Sequence, residues 1–222
     1  MQHADWATFC KNGTDATTQC GTIARAATGR RVILVAEGSY HGSAPWCTPR
    51  LAGVTPEDRA NYLTFTYNDP ASAQEAARIA GDDLAGVLVT PIRHDLGIDQ
   101  ELPDPAFAVG LRELCDRSGT VLILDDVRCG LRLHHGGNWE PLGVAPDLSA
   151  WSKAIANGYP LGAVLGRDSL RDAAASIYAT GSFGFAAVPM AASLATLEAA
   201  REQDAVARMV PARPDANRAP RR

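Results

Sequence analysis

Short runs of aliphatic and β-branched residues alternate with helical patterns along most of the chain. Such runs are typical of strands that are buried on both faces of a parallel sheet. The predicted strands are 31–36, 62–66, 84–90, 120–125, 148–151 and 162–166. The segment TVLILD at 120–125 is the clearest of them, because its aliphatic residues are uninterrupted up to the final aspartate.

Helical patterns fill the intervals between the strands, and glycine and proline mark several of their ends. Gly29 and Gly119 are stop signals after two of the helices, and Pro70 precedes another. The predicted helices are 14–28, 71–80, 105–117 and 187–202. Strands that alternate with helices in this way predict an α/β fold with a mostly parallel sheet.

Polar or turn-forming segments follow three of the predicted strands and open one helix. Residues 40–42 (YHG) follow the first strand, Asp125 closes the fourth, and Lys153 follows the fifth. Residues 12–15 (NGTD) open the first helix. Ligands of open α/β sheets bind beyond the carboxyl ends of the parallel strands, so we expect these four segments to face one cleft.

Composition narrows the class of protein. The net charge is −4 with scattered basic residues, so we expect no nucleic-acid partner. The first ten residues lack the pattern of a signal peptide, and no apolar run is long enough to cross a bilayer, so we expect no membrane partner. The five cysteines never form Cys-x-x-Cys, which favours a reducing cytoplasm over a disulfide framework. No metal-ligand spacing occurs, and we expect no metal site.

Lysine is rare in this chain. Only two of the 21 basic residues are lysines, Lys11 and Lys153, and the others are arginines. An amine can lose its proton and condense with a carbonyl to form a Schiff base, whereas a guanidinium cannot. Lys153 lies between an apolar run and a glycine turn, where a strand would deliver a reactive side chain into a cleft; an ordinary surface lysine is the alternative.

Other residues fit the needs of Schiff-base chemistry on a pyridoxal phosphate (PLP) cofactor, although each has a structural alternative. Asp125 suits a carboxylate on the pyridine nitrogen, or caps the turn after its strand. Gly13 and Thr14 suit a phosphate cradle at a helix N-terminus, or mark an ordinary helix start. Tyr40 and Val127 could pack on the cofactor ring or belong to the core. Ser182 could offer a hydroxyl to the phosphate or lie in a surface loop.

Together these segments resemble the class III (fold-type I) PLP-dependent aminotransferases, particularly the branch similar to glutamate-1-semialdehyde aminomutase. The resemblance runs in order through nearly the whole chain. The stretches that carry it are 9–16 (FCKNGTDA), 40–42 (YHG), 111–115 (LRELC), 122–130 (LILDDVRCG), 143–148 (GVAPDL) and 152–158 (SKAIANG).

The resemblance implies the fold and its limits. It predicts the fold-type I large domain, a three-layer α/β/α arrangement, over residues 1–209. It also implies that the chain lacks the family's N-terminal segment and its small C-terminal domain. Residues 210–222 have no apolar periodicity and are predicted to form a disordered tail.

The resemblance also implies site roles. Lys153 would form the Schiff base, Asp125 would bind the pyridine nitrogen, and Tyr40 and Val127 would sandwich the ring. Gly13 and Thr14 would hold the phosphate, and His41, next to Tyr40, is counted with the cofactor-binding residues. Ser182 falls where the family has a threonine that reaches the phosphate of the neighbouring subunit. This correspondence implies a homodimer.

The implied activity is that of a transaminase or aminomutase, with a small-molecule amino donor and a keto or aldehyde acceptor. The alternatives are a truncated, inactive relic that serves as a dimerisation partner, and a PLP-dependent racemisation or decarboxylation. Three positions depart from the family pattern: Asp126 replaces a glutamate, Thr90 replaces the glutamate of a Glu-Pro pair, and Arg128 is unexpected beside a cofactor ring.

Overall fold

One seven-stranded sheet organises the part of the chain that the computed structural model describes, residues 1, 3–95 and 97–209. The predicted tail, 210–222, lies outside these residues. The strands are β1 (Trp6–Cys10), β2 (Val32–Ala36), β3 (Tyr62–Phe65), β4 (Leu84–Val89), β5 (Val121–Asp125), β6 (Leu148–Trp151) and β7 (Gly162–Gly166). The helices are α1 (Gly13–Thr28), α2 (Pro56–Arg59), α3 (Pro70–Ala80), α4 (Pro105–Ser118), α5 (Arg171–Ser176), α6 (Ala187–Glu202) and α7 (Ala205–Met209).

The strand order is β1-β7-β6-β5-β4-β2-β3, and the sheet is mostly parallel, as predicted. The neighbours from β6 to β3 all pair in parallel. Strand β7 runs antiparallel to both β6 and β1. The carboxyl ends of β2, β4, β5 and β6 therefore meet at one edge of the sheet.

Helices cover both faces of the sheet, which confirms the three-layer arrangement. Side chains of β5 alternate between the two faces, as strand geometry requires. Leu122 and Leu124 pack with Phe107 of α4 in one core, and Ile123 packs with Ile23 of α1 in the other. Each fully buried side chain of this size contributes roughly 1.5–3 kcal/mol relative to an exposed one, so the two cores fix the helices against the sheet.

The residues at the helix ends explain why the predicted boundaries agree with the observed ones to within one residue. The side chain of Asn12 accepts a hydrogen bond from the Asp15 amide at the start of α1. Asp69 and Asp104 cap α3 and α4 in the same way, each followed by a proline. Gly29 ends α1 in the left-handed conformation.

Several elements were not predicted from the sequence: β1, α2, α5 and α7. Strand β1 forms the edge of the sheet, and the helices are four to six residues long. Among the described residues, no helix has the length and apolarity needed to span a membrane.

Candidate active site

A cavity of about 420 Å³ lies at the carboxyl edge of the sheet, where the four predicted segments converge. This convergence was predicted from the strand ends. Seven of the eight predicted site residues line the cavity: Gly13, Thr14, Tyr40, His41, Asp125, Val127 and Lys153. Ser182 does not.

Asp125 is a buried carboxylate at the end of β5, 3% exposed. Its Oδ2 lies 2.7 Å from His41 Nδ1, and its Oδ1 accepts a hydrogen bond from the Val127 amide at 3.1 Å. Because both oxygens have a partner, the carboxylate is fixed in orientation. A carboxylate held this way can bind and keep protonated a basic ring nitrogen.

His41 is itself held in place. Its backbone carbonyl accepts a 2.7 Å hydrogen bond from the Thr17 hydroxyl of α1. Its ring stacks on Trp46, with centroids 6.5 Å apart, and Trp46 stacks on Tyr62 at 4.9 Å. The buried Nε2 of His41 has no hydrogen-bond partner among the residues that the structure describes. The imidazole contacts Asp125 through Nδ1 and helps to orient that carboxylate.

The N-terminus of α1 forms one wall of the cavity. A Cβ at Gly13 would overlap the side chain of Val127, so only glycine allows this approach. Gly42 has a φ of +132°, and a Cβ there would meet the side chain of Thr14. The amides in the first turn of a helix lack intrahelical partners and bind anions, so this wall can hold a phosphate.

Lys153 follows β6 in a left-handed backbone conformation, with a φ of +45°. This conformation costs a non-glycine residue about 1–2 kcal/mol and marks a position that the surrounding fold imposes. The preceding Ser152 is buried, and its hydroxyl donates a 2.6 Å hydrogen bond to the carbonyl of Leu161. The turn thus places Lys153 on the wall of the cavity, where its side chain is exposed.

Tyr40 and Val127 both line the cavity but differ in exposure. Tyr40 is 37% exposed, and Val127 is 8% exposed and packs against α1. Their placement on two sides of a cofactor ring stays a prediction.

Ser182 lies in a second cavity of about 620 Å³, between α1 and the loop of residues 177–185. Lys11 also lines this cavity, and its Nζ lies 4.9 Å from the centroid of the Phe183 ring. The two cavities share Thr14, and Ser182 is exposed. The role of Ser182 towards a neighbouring subunit stays a prediction.

His94 and Arg128 also line the first cavity, although neither was predicted as a site residue. Arg128 Nη1 donates a 2.9 Å hydrogen bond to the carbonyl of His94. The position of His94, a few residues after β4 at the same sheet edge, was the available sequence signal. Asp126 lies in a different cavity, where burial raises its pKa to about 7.

These residues fit pyridoxal phosphate. The cavity combines a fixed buried carboxylate, a helix N-terminus cleared by glycine, and an exposed primary amine. These are the groups that the pyridine nitrogen, the phosphate and the aldehyde of the cofactor require. Within the described ranges no cluster of three or more metal-ligating side chains occurs.

Comparisons with known proteins show the family of this chain. The family model for class III aminotransferases matches residues 1–212. The aminopentol aminotransferase of Sphingopyxis macrogoltabida is 50% identical over 202 residues, which cover 91% of this chain and 48% of the relative. The glutamate-1-semialdehyde 2,1-aminomutase of Natronomonas pharaonis is 35% identical and is covered over 46% of its length.

Solved structures of PLP proteins share the fold. The FumI protein of Sphingopyxis sp. MTA144, solved as its PLP internal aldimine, superposes with a TM-score of 0.90 at 50% identity, covering 91% of this chain and 49% of that protein. A transaminase with PLP bound superposes with a TM-score of 0.79 at 29% identity, covering 89% of this chain and 50% of that protein. The chain spans about half the length of the curated relatives it matches. This chain belongs to the class III aminotransferase family.

Proposed function

We propose that this chain carries the cofactor site of a PLP-dependent transaminase or aminomutase that acts on an amino acid or amine. The observation that carries the proposal is the convergence of Lys153, Asp125 and the N-terminus of α1 in one cavity. The amine, the carboxylate and the helix N-terminus come from different segments of the chain. They match the aldehyde, the pyridine nitrogen and the phosphate of the same cofactor.

The chain's own residues would bind and orient the cofactor. The first-turn amides at Gly13 and Thr14 would hold the phosphate, and Tyr40 and Val127 would pack on the ring. Asp125, fixed by His41, would hold a proton at the pyridine nitrogen. When bound, PLP supplies an electron sink for the negative charge left at the substrate Cα.

Lys153 would attach the cofactor and then act as an acid–base group. Its neutral amine would take the proton from the substrate Cα and return it at the C4′ carbon of the cofactor. Arginine at this position would stay protonated and could do neither.

Transamination is favoured over the aminomutase reaction. The relative at 50% identity is named an aminopentol aminotransferase, and one at 37% is a 3-aminobutyryl-CoA aminotransferase from Cloacimonas acidaminovorans. Six glutamate-1-semialdehyde aminomutases among the relatives are 34–38% identical. An amine rather than a 2-amino acid is therefore the donor we favour.

The test begins with cofactor attachment. PLP added to the purified protein should give the yellow absorption of a lysine adduct, and borohydride should fix the cofactor to Lys153, located by peptide mass spectrometry. Lys153→Arg should abolish the covalent label, whereas Lys11→Arg should keep it. A wild-type protein that takes up no PLP would refute the proposal.

Conversion then separates a catalyst from an inert relic. A panel of amines and amino acids should convert bound PLP to the pyridoxamine form in a single turnover, followed by absorbance. PLP attachment to Lys153 without conversion by any donor would instead support the relic, or a requirement for a second chain.

We infer that two copies of the chain pair through the outer face of α6. Of the 16 residues in α6 only Pro189 is buried, and Val188 and Leu194 are each 65% exposed. The neighbouring loop adds Phe185, 68% exposed, and borders the cavity that contains Ser182. A second copy on this surface would cover the apolar side chains and adjoin the cavity that contains Ser182.

Leu194→Glu should convert a dimer to a monomer in sedimentation experiments. Ile79→Glu is the matched control, because Ile79 is 62% exposed on α3. A monomeric wild-type protein, or dimers of equal strength in both variants, would refute this surface.

We also propose a reducing, cytoplasmic compartment. All five cysteines are free in the structure, and four are buried. Alkylation of the freshly isolated, denatured protein should modify all five thiols, and a disulfide found by mass spectrometry would contradict the proposal.

A further inference from the structure

A small basic cavity adjoins the cofactor cavity. It has a volume of about 180 Å³ and is lined by Ile92, His94, Gln100, Arg128, Cys129 and Arg132. His94 and Arg128 line both cavities and so form the boundary between them. None of the six lining residues is acidic. The lining therefore contains no carboxylate that could neutralise the guanidinium groups of Arg128 and Arg132.

Arg128 is held by one edge and open at the other. Its Nη1 lies 2.9 Å from the carbonyl oxygen of His94 and 3.3 Å from His94 Nδ1. Among the described residues, its Nε and Nη2 make no hydrogen bond and the side chain makes no ion pair. The Nε–Nη2 edge is one of the two forks by which arginine binds a carboxylate in bidentate fashion.

His94 is suited to holding that guanidinium without competing for it. Burial lowers the pKa of His94, and the charge of Arg128 lowers it further, so the imidazole is neutral at pH 7. Its Nδ1 then accepts from Arg128, which leaves the proton on Nε2. That buried Nε2 has no partner within the described part of the chain.

We propose that Arg128 binds the carboxylate of the amino acceptor, a 2-oxo acid, at the boundary of the two cavities. Arg128 and Lys153 line the same cavity, so one space is open to a carboxylate on Arg128 and to a carbonyl group that reacts near Lys153. A 2-oxo acid has its carbonyl directly beside its carboxylate. This inference deepens the proposed function and rests on it for the reaction, but not for the binding.

Binding is tested with propionate, an unreactive carboxylate, by calorimetric titration into the PLP-treated protein. Arg128→Gln should weaken propionate binding on the order of 10- to 100-fold, as expected for loss of a charge-assisted pair. Arg128→Lys should recover part of the loss. Arg132→Gln is the matched control: it removes a charge from the small cavity only and should change binding less than about 3-fold.

Turnover gives a second readout. With pyruvate as acceptor, Arg128→Gln should raise KM by the same 10- to 100-fold. With propanal, which lacks the carboxylate, kcat/KM should stay within about 2-fold of wild type. The affinity for PLP should not change.

Three results would overturn the inference: unchanged propionate binding in Arg128→Gln, an equal loss in Arg132→Gln, or a loss of PLP affinity in place of carboxylate affinity. The two proposals fail in different ways. A protein that takes up no PLP but still needs Arg128 for propionate would refute the proposed function alone. Normal turnover with no dependence on Arg128 would refute this inference alone.

Discussion

Asp125 receives its orientation from its own chain, through His41 and the Val127 amide. What it adds to the site is therefore mainly its negative charge. Asparagine at this position keeps the shape: its oxygen can accept from the Val127 amide, and its NH2 group can donate to Nδ1 of the other His41 tautomer. It removes the charge that would hold a proton on the pyridine nitrogen.

We expect Asp125→Asn to slow the single-turnover conversion of bound PLP by an amine at least about 100-fold, while the melting temperature changes little. Asp126→Asn is the matched control, since Asp126 is the adjacent buried carboxylate and lines a different cavity. Equal rates in wild type and Asp125→Asn would show that the charge is not used.

Gly13 tests the close approach of α1 to Val127. A methyl group at position 13 would overlap Val127, so Gly13→Ala should lower the free energy of unfolding by about 1–3 kcal/mol and weaken PLP binding. Thermal melts and absorbance titrations measure the two effects.

A second glycine of α1 provides the control. A Cβ at Gly21 meets nothing within 4 Å, so Gly21→Ala should stabilise the helix by roughly 0.5–1 kcal/mol. In a Val127→Ala background, Gly13→Ala should lower stability and PLP affinity less than it does in the wild type. Equal losses in the two backgrounds would show that the overlap is not the cause.

At the scale of elements, α1 has two tasks at one end, because its capped N-terminus also forms the wall of the cavity. Asn12→Asp tests the second task. The aspartate still accepts from the Asp15 amide, but it loses the 3.0 Å hydrogen bond that Asn12 Nδ2 donates to Asp15 Oδ2 and brings a second negative charge beside that carboxylate. Thermal stability should therefore fall by roughly 0.2–0.5 kcal/mol in low salt.

The same charge would lie near the bound phosphate, so PLP affinity should fall several-fold in low salt and recover as salt screens the repulsion. Asn12→Ala removes the cap without adding a charge, so it should lose about 1 kcal/mol of stability and give a PLP affinity that depends less on salt. A change of PLP affinity in Asn12→Asp that ignores ionic strength would contradict this account.

Elements with local signals were predictable from sequence, and those that depend on distant pairing were not. The ends of α1, α3 and α4 carry their own capping residues, and the buried strands carry their own aliphatic runs. Strand β1 is an edge strand with mixed side chains, and only its pairing with β7 defines it.

In the site, too, some features were predictable from the sequence and others were not. Lys153 and Asp125 stand at strand ends that the sequence reveals. The contact between Arg128 and His94 joins two different loops, and the positive φ of Lys153 is imposed by the packing of its turn. Neither can be read from local composition.

At the scale of the whole molecule, two buried groups titrate in opposite directions. Burial raises the pKa of Asp126 from 3.8 to about 7 and lowers the pKa of His3 from 6.5 to about 4. Between about pH 4 and 6.5 the folded state holds an extra proton at Asp126, and the unfolded state holds one at His3. As the pH rises, the titration of Asp126 therefore lowers the free energy of unfolding, and the titration of His3 raises it.

Each group changes the free energy of unfolding by at most about 1.4 kcal/mol per pH unit. Because the contributions of Asp126 and His3 have opposite signs, they nearly cancel in the wild-type protein. Relative to wild type, Asp126→Asn should gain stability as the pH rises from 4 to 7. His3→Gln should gain stability as the pH falls from 6.5 to 4. Urea unfolding at pH 4.5 and 6.5 measures both, and parallel pH profiles for all three proteins would contradict the assignment.

Among the described strands, β1 pairs with β7 alone, and the helix that follows β1 forms the wall of the cavity proposed to hold the phosphate. On the ribosome, β1 emerges before the other strands of this sheet but must wait for its partner, which is made roughly 150 residues later, or about 10–30 s at usual rates of synthesis. Until then, the N-terminus of α1 and the turn that carries Lys153 are not held in place by the same complete sheet. Cofactor loading should thus be among the last events in the maturation of a nascent chain, and the appearance of yellow colour should report completion of the sheet.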